Sequence, residues 1–289
     1  MQIELSVVAV PDLIGKKKQK TFMKKLIIIL LAFAFFSSCS EYQKVYNGKD
    51  VEAKYKMAWK MFEQGKYRKA DELFNQVDKY YKFKPQYQRL LFAHAMSLYN
   101  MKQYLSAGEL FRKFTRLFPE SSKAEEADFY IVKSYFNLSP KYSVDQAYTE
   151  RGIQEIQQFF KKYPYSKYKK EVNEMNAELT HKIEKKYLEI SKQYYNLGYY
   201  KSAIVSFNNF LIDYPGSIYK PEALFYRYKA SADLAINSVE SKKEDRLMKA
   251  IGYFKNFEKT YKDSPFYKEA QKIYEKLEAE LKNKASNEV

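Results

Sequence analysis

From residue 51 onward, apolar side chains recur at spacings of three and four almost without a break. No stretch alternates strictly between apolar and polar residues with turn signals at both ends, so helices are expected and strands are not. The helices also resemble one another. Gly65-Lys-Tyr67-Arg-Lys-Ala70 is followed by Phe74, and Gly198-Tyr-Tyr200-Lys-Ser-Ala203 by Phe207. Lys102-Gln-Tyr104-Leu-Ser-Ala107 is followed by Phe111, with Lys102 where the other copies have glycine. A degenerate copy keeps Ala250 and Phe254. Glycine permits a tight turn between two helices. Alanine is small where a partner helix approaches closely, and Phe four residues on lies on the same helical face.

A second punctuation follows these helices. Phe118-Pro119-Glu-Ser121, Tyr163-Pro164-Tyr-Ser166 and Tyr214-Pro215-Gly-Ser217 share one frame, and Tyr261 to Ser264 is a weaker copy. Proline stops a helix and serine is expected to cap the next. Together the two patterns are the turn and second helix of a tetratricopeptide repeat. The expected fold is all-α, a tetratricopeptide-repeat superhelix of about five helix-turn-helix repeats. A linker over 39–50 is expected to lead into repeats one and two (51–121). Repeat three (122–182) carries an insertion, Ser139 to Thr149, between its helices. Repeats four and five and a capping helix fill 183–289, with a charged stretch Ser238 to Asp245 between the helices of repeat five. The capping helix is expected over 266–284, with Ile273, Leu277 and Leu281 on one stripe. Such arrays bind peptides and other proteins along an extended surface.

The first 38 residues follow a different pattern. Met23-Lys24-Lys25 is a short basic segment, Leu26 to Phe36 is unbroken apolar, and Ser37-Ser38 precede Cys39, the chain's single cysteine. Eleven apolar residues fit a secretory signal and fall short of the roughly 20 that span a bilayer. Residues 23–38 therefore read as a lipoprotein signal peptide, with Cys39 as the lipidated residue. Phe36 stands where leucine is commonest in such signals. Glu4, Pro11 and Asp12 do not suit a signal peptide, so residues 1–22 read as an over-extended start.

Composition adds the charge. The chain has 51 Lys+Arg against 35 Asp+Glu, a net +16, and six of those lysines fall before residue 39. Behind a lipid anchor, that surplus points to anionic headgroups or acidic protein surfaces and away from nucleic acid. A basic, aromatic segment, Lys162 to Lys170 (KYPYSKYKK), looks like a single-strand nucleic-acid platform. An exported, anchored protein does not meet that ligand, so no nucleic-acid partner is expected. One cysteine allows no intramolecular disulfide.

Chemistry is sparse. His94 and His181 lie on separate expected helices with no accompanying HExxH or CxxC motif, so no metal site is expected. There is no phosphate loop and no nucleophile elbow. Neither enzymatic activity nor a cofactor is expected. Trp59, one residue after Ala58, has Tyr55 and Phe62 about a turn to either side. These three are the candidate peptide-binding residues, facing the groove of the array; the alternative is that neighbouring repeats or the N-terminal tail bury them.

The signal, the lone cysteine and the repeats resemble the BamD family (also called YfiO or ComL), the lipoprotein subunit of the machinery that assembles outer-membrane β-barrels. The resemblance runs over 39–284. It rests on YNGKDVEAKYKMAWKMFEQGKYRKADELF (46–74), on FPESSKAEEADFYIVKSYF (118–136) and on the insertion with Asp145-Gln146. This chain is richer in Lys and Tyr than familiar members. The resemblance implies a non-catalytic scaffold, lipid-anchored on the periplasmic face of the outer membrane. Its partners would be a BamA-like barrel assembly protein and unfolded outer-membrane proteins. Ser40, not Asp, follows the cysteine, which suits sorting to the outer membrane. The alternatives are another exported repeat lipoprotein acting as an envelope scaffold, and a glycan-binding lipoprotein of the starch-utilisation type. The second needs a large loop-rich region that this chain lacks.

Overall fold

The computed structural model of this chain describes residues 41–287, with side chains as far as residue 284. The 1–22 stretch, the signal-like run and Cys39 lie outside the described residues. The described chain is helical throughout: α1 (residues 41–47), α2 (Val51–Glu63), α3 (Tyr67–Tyr81), α4 (Tyr87–Asn100), α5 (Tyr104–Leu117), α6 (Ala124–Leu138), α7 (Ala147–Lys162), α8 (Lys169–Asn196), α9 (Tyr200–Asp213), α10 (Lys220–Ile236), α11 (Glu240–Tyr261) and α12 (Tyr267–Asn287). It forms two compact units, one ending at Leu110 and the next beginning at Phe111, inside α5. In the first unit α2 packs on α3 and α3 on α4; in the second, each helix from α6 onward packs on its successor. These are tandem helix pairs of the tetratricopeptide type.

The repeated residues do the work their chemistry allows. Gly65 and Gly198 close the turns before α3 and α9 with φ of 70° and 77°. Lys102 holds the same left-handed conformation, φ 61°, before α5. Ala70, Ala107, Ala203 and Ala250 are fully buried, and the Phe four residues beyond each is buried with it. The pattern has a further copy in α7 that the sequence reading passed over. Gly152 takes the place of alanine and Ile156 that of Phe. A Cβ at 152 would sit 2.8 Å from Leu179 Cδ1 on α8, which is why the residue is glycine.

The turn between repeats is two hydrogen-bonded loops in series. Ser121 N–H donates to Phe118 O and Ala124 N–H to Ser121 O; Ser166 and Lys169, Ser217 and Lys220, and Ser264 and Tyr267 repeat both bonds. Lys84 and Tyr87 repeat them after Tyr81, a fifth copy with lysine in place of serine. Contrary to the expectation from sequence, the serines are not N-caps. Each lies three residues before its helix, and its Oγ accepts from the backbone N–H two residues on, at 3.0–3.3 Å. The N-cap residues Lys123, Tyr168 and Tyr219 make no side-chain cap bond. Serine here stabilises the turn.

Four further expectations change. The 39–50 linker is not a loose tether: α1 occupies 41–47, and buried Tyr42 donates to Glu72 Oε2 at 2.6 Å on α3. Glu41 pairs with Lys60 on α2 at 2.8 Å. The insertion of repeat three spans only 139–146, because residues 147–149 are the first turn of α7. Buried Gln146 and Thr149 close it: Gln146 donates to the carbonyls of Lys141 and Val144, and Thr149 to Gln146 Oε1. The charged stretch 238–245 is mostly the first turns of α11, whose polar face is simply solvated. The 182/183 boundary lies inside α8, a 28-residue helix. Neither Gly nor Pro interrupts it. Val172, Met175 and Leu179 pack with Ile156 and Phe159 of α7, while Leu188 packs with Ala203 and Phe207 of α9.

Candidate functional site

The first unit carries an aromatic ladder. α2 starts at an Asp50 cap, whose Oδ1 accepts from the N–H groups of Glu52 and Ala53 at 2.9 and 3.0 Å. Met57, Ala58 and Met61 form its buried stripe, and this register sets Tyr55, Trp59 and Phe62 beside it, each half-buried. Tyr55 stacks on Tyr81 of α3 with centroids 4.5 Å apart and meets Trp59 edge-on at 6.2 Å. Trp59 lies edge-on to Phe62 at 5.8 Å and to Phe74 at 5.6 Å. Phe62 continues the ladder to Tyr67 at 5.8 Å. The structure thus brings the three residues together, backed by α3. It also adds a residue that the sequence reading missed. The guanidinium of Arg89, exposed on α4, lies 3.9 Å from the Trp59 ring centroid. No described carboxylate pairs with Arg89, and the Trp59 Nε1–H is buried without a hydrogen-bond partner. Arg89 is thirty residues from Trp59 and one cation among many, so nothing in the sequence singled it out.

This arrangement offers apolar ring faces and an uncompensated cation. A cation over a tryptophan face is worth about 0.5–1 kcal/mol when exposed. A carboxylate or backbone carbonyl can draw Arg89 toward itself at modest cost.

His94 has a structural role in the same unit. It is buried on α4, with Nε2 2.8 Å from Asp71 Oδ1 on α3, and ties the two helices. His181 is half-buried on α8, in the other unit. No cluster of three or more His, Cys, Asp or Glu able to hold a metal occurs among the described residues.

The second unit has a polar cleft of about 210 Å³ between α5, α6 and α7, lined by Arg112, Asp128, Glu155, Phe159 and Lys162 among others. Its charges are matched. Buried Glu155 lies 3.0 Å from Arg112 and 2.7 Å from Arg151. Asp128 accepts from Lys162 at 2.7 Å and from the Tyr163 hydroxyl at 2.9 Å. Burial works against the Arg112 and Lys162 cations, but the bonds to Glu155 and Asp128 outweigh it and hold both pKa values above their usual range. The Glu155 carboxylate, held between two guanidiniums, clamps α7 to α5.

No helix of the described residues is long and apolar enough to cross a membrane. The sequence matches the model of the YfiO family, described as outer membrane lipoprotein, over residues 47–247. The chain belongs to that family. The match starts just before α2, takes in the aromatic ladder and the polar cleft, and ends within α11. Comparison with curated proteins gives no match. Solved structures similar to the chain include the TPR2AB domain of yeast Sti1 in its pHSP90 complex, at 13% identity and a TM-score of 0.38, covering 79% of this chain and 98% of that one. The TPR domain of P58(IPK) has the same identity and TM-score, covering 80% of this chain and 66% of that one.

Proposed function

We propose that this outer membrane lipoprotein is a non-catalytic scaffold for β-barrel assembly, held on the periplasmic face by a lipid on Cys39. Its first unit receives extended, aromatic-rich segments of unfolded outer-membrane proteins. A BamA-like assembly protein is its structural partner. The observation that carries the reading is the Tyr55–Trp59–Phe62 ladder with Arg89 over Trp59. Ring faces take the aromatic side chains of a bound segment, and Arg89 takes its carboxylate. The ladder rests on family membership for the choice of ligand and on its own geometry for the choice of residues.

The test is peptide binding by fluorescence anisotropy, with a labelled peptide ending in an aromatic residue and a free carboxylate. Trp59→Ala should weaken binding by about 2 kcal/mol, roughly thirtyfold, as a central aromatic contact does. Arg89→Ala should weaken it less, and amidating the peptide should remove the difference between the parent and Arg89→Ala. Helical circular dichroism should stay unchanged. Equal affinity in parent and both variants would remove this face from the binding site.

A further inference from the structure

The basic, aromatic segment Lys162 to Lys170 takes no part in the site described above. Two of its three tyrosines have structural work. The Tyr163 hydroxyl donates to Asp128 at 2.9 Å, and Tyr168 stacks on Phe129 with centroids 4.0 Å apart. Tyr165 has none. It follows Pro164 in the turn closed by Ser166 N–H and Tyr163 O, and is 97% exposed. Within five residues of it along the chain are Lys161, Lys167, Lys169 and Lys170, all exposed and none in an ion pair among the described residues. Asp128 pairs with Lys162 and Glu171 with Lys133, while Glu174, exposed four residues after Lys170 on α8, makes no ion pair with these lysines. The same turn position between α3 and α4 holds Phe83, 92% exposed, beside Lys82 and Lys84. An apolar ring at the tip flanked by lysines is therefore used twice.

We propose that the α7–α8 turn, with Tyr165 at its tip and Lys161, Lys167, Lys169 and Lys170 close to it along the chain, is a contact for an anionic phospholipid surface. The tip is convex. A peptide needs a groove, whereas a protruding ring with cations behind it suits a soft, negatively charged interface. There tyrosine sits at headgroup level and lysines gain from the surface potential. Membership of an outer membrane lipoprotein family brings such a surface within reach. The contact would give the scaffold a second point on the membrane beside the lipid proposed on Cys39, and so fix its orientation.

The experiment is vesicle flotation of residues 39–289 carrying Cys39→Ser, which keeps the whole described fold and removes the acylation site. Vesicles of phosphatidylethanolamine with phosphatidylglycerol are compared with neutral phosphatidylcholine. Binding should require the anionic lipid and fall as salt rises. Lys167→Gln/Lys169→Gln/Lys170→Gln should lower the association constant about a hundredfold, at about fivefold per lysine near the surface. Tyr165→Ala should lower it severalfold. A control triple, Lys255→Gln/Lys259→Gln/Lys268→Gln, removes the same charge elsewhere and should change little. Unchanged binding by the first triple, or equal loss in the control, overturns the proposal. So does a chain that ignores vesicles but binds polyglutamate through the same lysines, which would make the turn a protein-docking surface.

Discussion

Lys102 shows how a residue can break a pattern in sequence while keeping it in space. Its φ of 61° matches the turn glycines at 70° and 77°. An L-residue in that conformation costs about 1–2 kcal/mol, and glycine's greater unfolded-state freedom returns part of the difference. Lys102 is exposed, so its side chain contributes no packing. Lys102→Gly should raise stability by about 0.5–1 kcal/mol, read as a later urea midpoint with unchanged slope. An earlier midpoint would mean that the lysine stem packs. At this scale the sequence was informative about residue type and less so about role. Gly65, Ala70 and Phe74 act as their chemistry predicts. Serine serves both caps and turns, and only the backbone tells which of the two Ser121 and its counterparts perform.

Helices were legible where periodicity was strong, and their joints were legible where Pro or Gly marked them. The long α8 was not, because the repeat grammar demands a boundary near residue 182 while the local sequence contains nothing to stop a helix. Gly152 was missed because glycine inside a helix carries no repeat signature, although its role at the α7–α8 crossing equals that of Ala70 in its own repeat. Gly152→Leu should therefore destabilise by roughly 1–3 kcal/mol through overpacking against Leu179, as should Ala70→Leu and Ala203→Leu. Thermal melts of the three variants check this, and an unchanged melt would place the crossing elsewhere. α1 was hidden in a stretch read as linker, since seven residues carry too little periodicity to register. Its hold is Tyr42. Tyr42→Ala should cost α1 roughly 3 kcal/mol of docking, seen as faster amide exchange over 41–47 with α2 and α3 unaffected.

The whole molecule is rich in tyrosine, with 29 in all, and many are structural. Burial pushes Tyr214 up to about 12, with Tyr187 adding to the shift, against an ordinary value near 10. Burial also raises Tyr228 well beyond the usual range, and with bonded carboxylates it does the same to Tyr42 (Glu72) and Tyr195 (Asp233). In each case the native state keeps its proton while the unfolded chain ionises. Stability is thus flat with respect to these groups below about pH 10, and falls as pH rises from there toward about 12. Denaturant midpoints across that window should drop as tyrosinate absorbance appears, and a midpoint independent of pH there would contradict the burial of these hydroxyls.

The site was half legible at this scale. Helical spacing put Tyr55, Trp59 and Phe62 on one face, but Arg89 came from a separate helix whose register no local pattern fixes. Trp59 is the chain's one tryptophan, so its emission reports on the ladder directly. Titrating the protein with an unlabelled peptide ending in an aromatic residue and a free carboxylate is the most direct measurement. Trp59 emission should change saturably, with the midpoint shifted to higher peptide concentration in Arg89→Ala. A peptide that binds, as read by anisotropy, while Trp59 emission stays constant would contradict the proposed site.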